Sequence, residues 1–240
     1  MAKRRPKSDI PTEAIDLRII GGKYRGTKLT SEPLLHTSGA VAGERVTRPM
    51  KHRVREAIFN LVGTDAEGKH AMDLFAGTGA LGLEALSRGA ASCLFIERHV
   101  PTAEIVKQNI KAMGVEGVCE LMMASAFVWA QRDLGKRDGG RGTRETDPPS
   151  AIPNPQSPWL AFISPPYSFF IERQDEMLML IEALLKHAPP ESMLVIEADQ
   201  RFDFSLLPGR VKEHRSESGW DVREYAPAVV GVLRIGDESV

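Results

Sequence analysis

The sequence predicts an α/β fold, a mostly parallel sheet with helices on both faces, preceded by a basic N-terminal hairpin. Three observations carry this reading. From residue 70 onward, short apolar runs alternate with segments of helical periodicity. A glycine-rich turn joins the first run to the first helix, as in sheets that bind nucleotides at their C-terminal edge. The basic residues, finally, are concentrated ahead of this alternating region.

Residues 17–29 read as two short strands around the Gly21-Gly22 turn, flanked by Arg18, Lys23, Arg25 and Lys28. Residues 36–47 are small and polar. Arg48-Pro49 then opens a helix whose apolar positions Val54, Ala57, Ile58, Leu61 and Val62 recur at helical spacing, while Lys51, Arg53, Arg55 and Glu56 occupy the other face. A buried strand over 71–75, a glycine turn and a helix from 81 to 87 follow, the last stopped by Arg88-Gly89. The next elements are a strand over 92–97, a helix over 101–113 with Ala103, Val106, Ile110 and Met113 on one face, and a strand over 118–123. Residues 133–158 hold four Gly and five Pro among many charges and show no periodicity, which predicts a long loop or disordered insertion. A fourth strand covers 159–163. Met177, Leu180, Ile181, Leu184 and Leu185 mark the helix after it, and a fifth strand covers 193–196. Residues 211–215 and 228–235 are expected to close the sheet as an antiparallel pair.

Composition narrows the function classes. With 240 residues, 42% hydrophobic and 26% charged, the chain is neither a disordered polymer nor a collagen-like one, and one or two domains are expected. Its 31 Lys+Arg and 32 Asp+Glu leave a net charge of −1. Residues 1–60 carry 13 basic and 6 acidic side chains, whereas 61–240 carry 18 and 26, so the near-neutral total conceals a basic arm suited to an anion and an acidic body. No apolar run approaches the roughly 18 residues of a membrane span, and the basic residues 3–7 are followed by polar residues and Pro11 rather than by the apolar segment of a secretory signal. A cytoplasmic location is expected. Cys93 and Cys119 fall in strand-like segments without metal-ligand spacing, so reduced core thiols and no metal site are expected.

The chemistry-bearing residues lie where strands end. Gly77 and Gly79 sit at the first strand-to-helix turn, where glycine lets the backbone turn sharply and approach a ligand. Asp73 precedes them at the end of an apolar strand, a costly place for a carboxylate that meets no polar or cationic partner. Glu97 ends the second strand about twenty residues beyond the glycines, the position from which an acid commonly pairs with ribose hydroxyls. This constellation suits either a nicotinamide dinucleotide or S-adenosylmethionine. Asp73 favours the second, because a carboxylate tolerates a cationic methionine end better than a pyrophosphate. Ser125 and Ala126, after the third strand, are expected near the adenine. The fourth strand runs into Ser164-Pro165-Pro166-Tyr167. The prolines hold this segment extended and leave carbonyl oxygens free to accept from an amine, and Tyr167 offers a ring on which a flipped base can stack.

Together, Arg18-Ile19-Ile20-Gly21-Gly22, the stretch from Arg48-Pro49 to Asn60, the segment from Asp73 to Gly89 and Ser164-Pro165-Pro166-Tyr167 resemble the RsmD family of bacterial small-subunit ribosomal RNA guanine-N2 methyltransferases, over about residues 17–235. The resemblance implies a class I S-adenosylmethionine-dependent methyltransferase fold, Rossmann-like, with S-adenosylmethionine as donor. It implies 16S ribosomal RNA, free or in an assembling small-subunit particle, as substrate for an enzyme expected to be monomeric. It divides the chain into a basic flexible tail (1–16), an RNA-binding hairpin and helix (17–62) and a methyltransferase domain (63–240) carrying the 133–158 insertion. Asp73, Phe75, Gly77, Gly79, Glu97, Ser125 and Ala126 would line the cofactor site, and Ser164, Pro165, Pro166 and Tyr167 would receive the base. Lys23, Arg25, Lys28, Arg48, Lys51, Arg53 and Arg55 are suited to RNA phosphates.

One departure stands out. The family's fourth motif usually begins with Asp, and here it begins with Ser164, a residue also found at this point in enzymes that methylate adenine-N6 or cytosine-N4 of DNA. A DNA amino-methyltransferase is therefore the alternative within enzymes, and a nucleic-acid-binding relative without turnover the alternative outside them. A serine hydroxyl can accept a hydrogen bond from the amine but cannot offset developing positive charge as a carboxylate does. On that reasoning Ser164→Asp is expected to raise turnover.

Overall fold

The computed structural model describes residues 16–31, 52–134, 157–214 and 216–236. The tail up to residue 15, nearly all of the 133–158 insertion, and both Arg48 and Lys51 lie outside these residues.

The N-terminal hairpin forms where the sequence places it, with β1 (Leu17–Arg18) antiparallel to β2 (Lys28–Leu29). Helix α1 (His52–Val62) follows. The alternating region then supplies β3 (His70–Asp73), α2 (Ala80–Ser87), β4 (Ser92–Ile96), α3 (Val100–Met113), β5 (Cys119–Met122), α4 (Ala126–Trp129), β6 (Trp159–Ile163), α5 (Phe169–Glu172), α6 (Gln174–His187) and β7 (Met193–Asp199). The chain closes with β8 (Asp221–Tyr225) and β9 (Ala228–Arg234). Strands β3 to β7 are mutually parallel where they pair, and β9 runs antiparallel to both β7 and β8. The order across the sheet is β5-β4-β3-β6-β7-β9-β8.

The closing pair differs from expectation. Residue Val211 makes only an isolated bridge to Trp220, and the partner of β9 is β8. As the edge of the sheet, β8 is only partly covered, so its sequence Asp-Val-Arg-Glu-Tyr lacks the apolar run that marks a central strand.

Two apolar cores flank the sheet. On one face Leu17, Ile19 and Leu29 of the hairpin join Val54, Ile58, Phe59 and Val62 of α1, Leu81 and Leu83 of α2, and Val106 and Ile110 of α3. On the other, Phe127 and Trp129 of α4 pack with Met177, Leu180, Ile181 and Leu184 of α6. The hairpin and α1 are therefore part of the same packed body as the sheet, with Phe59 against Phe162 at 5.6 Å between ring centroids.

Polar bonds fix the hairpin to α2 and α3. Buried Glu84 accepts the Ile20 and Gly21 amides at 2.7 and 2.8 Å and the Arg88 guanidinium at 2.9 Å. Lys23 donates its amide to the Ser87 carbonyl at 2.7 Å. Gly22 has φ +74, and a Cβ there would lie 1.8 Å from that carbonyl, so only glycine allows this approach. Asn109 of α3 accepts the Thr30 amide at 2.7 Å and donates to the carbonyls of Thr30 and Thr78 at 3.0 and 2.9 Å, joining the end of the hairpin to the glycine turn.

Candidate functional site at the switch point of the sheet

Strand order reverses between β3 and β6: from β3 the chain builds outward through β4 and β5, then crosses back to place β6 on the other side of β3. In such sheets the crevice at the reversal, outside the C-terminal strand ends, is where ligands bind. Here the register sets Asp73 opposite Phe162, so Ser164-Pro165-Pro166-Tyr167 begins two residues beyond Asp73 on the neighbouring strand. The two motifs that the sequence separates by about ninety residues meet at one edge.

On the β3 side, Gly77 and Gly79 have φ of 54 and 78, left-handed conformations that end the turn as α2 begins. Asp73 is 1% exposed, accepts the Gly82 amide at 3.1 Å and meets no cationic side chain among the described residues. Burial, reinforced by the nearby Glu97 carboxylate, pushes its carboxyl up to about 7. Glu97 accepts the Gly77 amide at 2.9 Å and the His99 amide at 2.8 Å. It thus holds the glycine turn against the start of α3, a task the sequence does not reveal, and its two oxygens retain further acceptor capacity. Phe75 is half-buried and meets Phe127 and Phe169 edge-on at 5.9 and 6.2 Å, while Ser125 and buried Ala126 stand at the start of α4. Arg173 lies over Phe127 and Phe169 at 4.3 and 5.0 Å, closing this aromatic wall with a cation. The Phe127, Phe169 and Arg173 group was not anticipated, because Phe169 and Arg173 follow the motif without periodicity.

On the β6 side, Ser164 and Tyr167 are half-buried, Pro165 is buried and Pro166 exposed. Both hydroxyls end on one group that sequence reasoning missed. Glu197 of β7, 5% exposed, accepts Ser164 Oγ at 2.6 Å and Tyr167 Oη at 2.7 Å. Register explains the meeting, since Ile163 pairs with Ile196 and the next residue of each strand is Ser164 and Glu197. The signal in the sequence was the one that marked Asp73 and Glu97, an acid directly after an apolar strand run, here Leu194-Val195-Ile196-Glu197.

The proposed phosphate-binding residues divide. Lys23, Arg25, Lys28 and Arg53 are exposed, on the layer that covers the sheet face of Phe162 and Val195. Arg55 is not available to RNA: it is 0% exposed, donates to the Arg18 carbonyl and stands 4.0 Å from Glu84. Arg55 stands three and seven residues before Ile58 and Val62, so helical spacing puts it on the buried stripe of α1, where it binds protein, while Arg53 and Glu56 on the other side stay exposed.

The sheet order, with its reversal at β3 and β6 and its antiparallel β9, is that of a class I methyltransferase. Solved structures agree: the yhhF protein of Escherichia coli aligns with a TM-score of 0.61 at 21% identity, covering 92% of this chain and 99% of its own. An RNA methyltransferase from Salinibacter ruber, in complex with S-adenosyl-L-homocysteine, aligns with a TM-score of 0.52 at 16% identity over 80% and 97%. More particularly, the family described as conserved hypothetical protein 95, the RsmD family, matches residues 17–139, just over half of the chain, and the chain belongs to it. Ribosomal RNA small subunit methyltransferase D of Haemophilus influenzae is 28% identical over 81% of this chain and 84% of its own length. The protein of that name in Escherichia coli K12 is 39% identical over 40% of this chain, a match spanning 44% of its own length.

Proposed function

We propose that this protein is an S-adenosylmethionine-dependent methyltransferase that modifies the exocyclic N2 of a guanine in small-subunit ribosomal RNA. The observation that carries the reading is the adjacency of Asp73 and the Ser164-to-Tyr167 segment at the switch point, one suited to a cationic ligand and the other to a base amine. The curated relatives named for small-subunit ribosomal RNA methylation, and the S-adenosyl-L-homocysteine in the Salinibacter ruber neighbour, support donor and substrate class.

The residues present fit such a donor. A buried carboxylate with, among the described residues, one amide donor and no cation is out of balance by itself and matches an ammonium group, which makes Asp73 the anchor. Gly77 and Gly79 let the backbone approach it, Glu97 keeps lone pairs for hydroxyls, and Phe75, Ser125 and Ala126 offer a flat, largely apolar wall. When bound, S-adenosylmethionine supplies a methyl group activated by a sulfonium and departs as the neutral thioether.

The acceptor is a poor nucleophile, because the guanine amine delocalises its lone pair into the ring. Ser164 Oγ and the Pro165 carbonyl can each accept one N–H and so turn the lone pair out of the ring plane. Tyr167 offers the stacking face, a contact worth about 1–3 kcal/mol. The exposed Lys23, Arg25, Lys28 and Arg53 suit the phosphates of the flanking strand.

Mass-spectrometric mapping of methylated nucleosides in small-subunit RNA, from cells with and without the gene, tests the reading. Loss of N2-methylguanosine at one position, restored by complementation, is expected. An unchanged nucleoside set would overturn it.

A further inference from the structure

We propose that Glu197 is a positioning residue that supplies, from the adjacent strand, the negative charge that Ser164 withholds from the motif, and that it makes the Ser164 hydroxyl an obligate acceptor toward an amine. The inference deepens the proposed methyl transfer and rests on it.

The geometry allows little else. An ionised carboxylate has no proton to give, so both hydroxyls that reach Glu197, Ser164 Oγ at 2.6 Å and Tyr167 Oη at 2.7 Å, must donate to it. Serine has a single hydroxyl proton. Once that proton is committed to Glu197, Oγ presents only lone pairs to the crevice, and an incoming group must donate. The exocyclic amine of a base does so, whereas a carbonyl edge in its place meets an acceptor and is rejected. The same tether holds the Tyr167 phenol, fixing the ring so that a base stacks on a surface whose freedom is already lost.

Charge follows the same route. As the amine nitrogen gives its electron pair to the new carbon–nitrogen bond, the methyl–sulfur bond breaks with its pair left on sulfur, and the nitrogen is positive until one of its protons passes to solvent. Short O–H···O⁻ bonds transmit the Glu197 charge to Oγ, which is then more basic than an isolated serine hydroxyl. Burial pushes Glu197 up from the ordinary carboxylate range, and its two hydroxyl donors oppose that rise. A fold that needed only a staple between β6 and β7 would be served by a neutral amide; the charge is the part a structural role leaves unexplained.

The experiment measures single-turnover methyl transfer from radiolabelled S-adenosylmethionine to small-subunit particles purified from the gene-deletion strain. It is accompanied by calorimetric cofactor affinity and by unfolding midpoints. Glu197→Gln keeps the volume but removes the charge, and its single carbonyl oxygen can accept from only one of the two hydroxyls. Turnover is expected to fall about 10- to 100-fold, while cofactor affinity holds and the variant melts no lower than wild type. Ser164→Asp alone sets two carboxylates side by side and is expected to lower turnover, reversing the expectation from sequence. Combining Ser164→Asp with Glu197→Gln moves the charge into the motif and should recover most of the activity. Full activity of Glu197→Gln, or a double variant no better than the Gln single variant, overturns the role of Glu197 while leaving the methyltransferase reading intact. A wild-type protein that transfers no methyl group to these particles overturns both.

Discussion

Asp73 to Asn is the substitution through which the site's electrostatics are most directly tested. The carboxyl is 1% exposed, holds one amide and lies near a second carboxylate, and these surroundings raise it from 3.8 to about 7. A carboxyl that binds its proton more tightly in the folded state opposes folding when ionised. That cost is fully present above pH 7, shrinks as pH falls through 7, and is gone below the unfolded value near 3.8. At about 1.4 kcal/mol per tenfold change in affinity for the proton, the difference amounts to at most roughly 4 kcal/mol. Asparagine keeps an oxygen for the Gly82 amide and removes the charge. The cofactor-free variant should therefore be more stable than wild type by about 2–4 kcal/mol at pH 8, and the advantage should vanish near pH 4. Urea unfolding at pH 8, 6 and 4 reads this directly. The same variant should bind S-adenosylmethionine about 10- to 100-fold more weakly, since the ammonium loses a charge-assisted partner. A variant no more stable at pH 8, or one whose advantage persists in acid, would refute the account of Asp73 as an uncompensated buried acid awaiting a cation.

Linked effects follow from the same bonds. Because Asp73 titrates at about 7, binding a cation that locks it ionised should release about half a proton at pH 7 and almost none at pH 9, measured by calorimetry in buffers of different ionisation enthalpy. Replacing Lys23, Arg25 and Lys28 together by Ala should reduce the slope of log affinity for RNA against log salt by about 2–3. Arg55→Met should leave that slope unchanged while lowering stability by about 1–3 kcal/mol, because Arg55 serves Glu84 and the Arg18 carbonyl; a reduced slope would place Arg55 on the RNA surface after all. Asn109→Ala strands the Thr30 amide and the Thr30 and Thr78 carbonyls, and should cost about 2–4 kcal/mol in chemical denaturation.

Local patterns determined much of this protein. The alternation of strand and helix, the glycine turn before α2, the Pro-Pro segment after β6 and the acids at the ends of β3 and β4 are all written in neighbouring residues, because periodicity, turn chemistry and strand ends depend on short-range geometry. The uneven distribution of charge along the chain is likewise compositional. Position across the sheet is another matter. That β6 lies beside β3, bringing Asp73 to Ser164, depends on which strands pair, and pairing is settled by burying both faces of the whole sheet. Glu197 carried the same strand-end signal as Asp73, yet its meaning appears only once the β6–β7 register sets it against Ser164 and Tyr167. Arg55 shows the reverse: its charge suggests a phosphate ligand, yet it stands three and seven residues before Ile58 and Val62 on the buried stripe of α1, where it is a partner of Glu84. Sequence alone marked the glycine turn, the acids at the ends of β3 and β4 and the Pro-Pro segment; tertiary structure decided which groups face one another, since hydrogen bonds between strands far apart in the chain are fixed only when the core on each side of the sheet is complete.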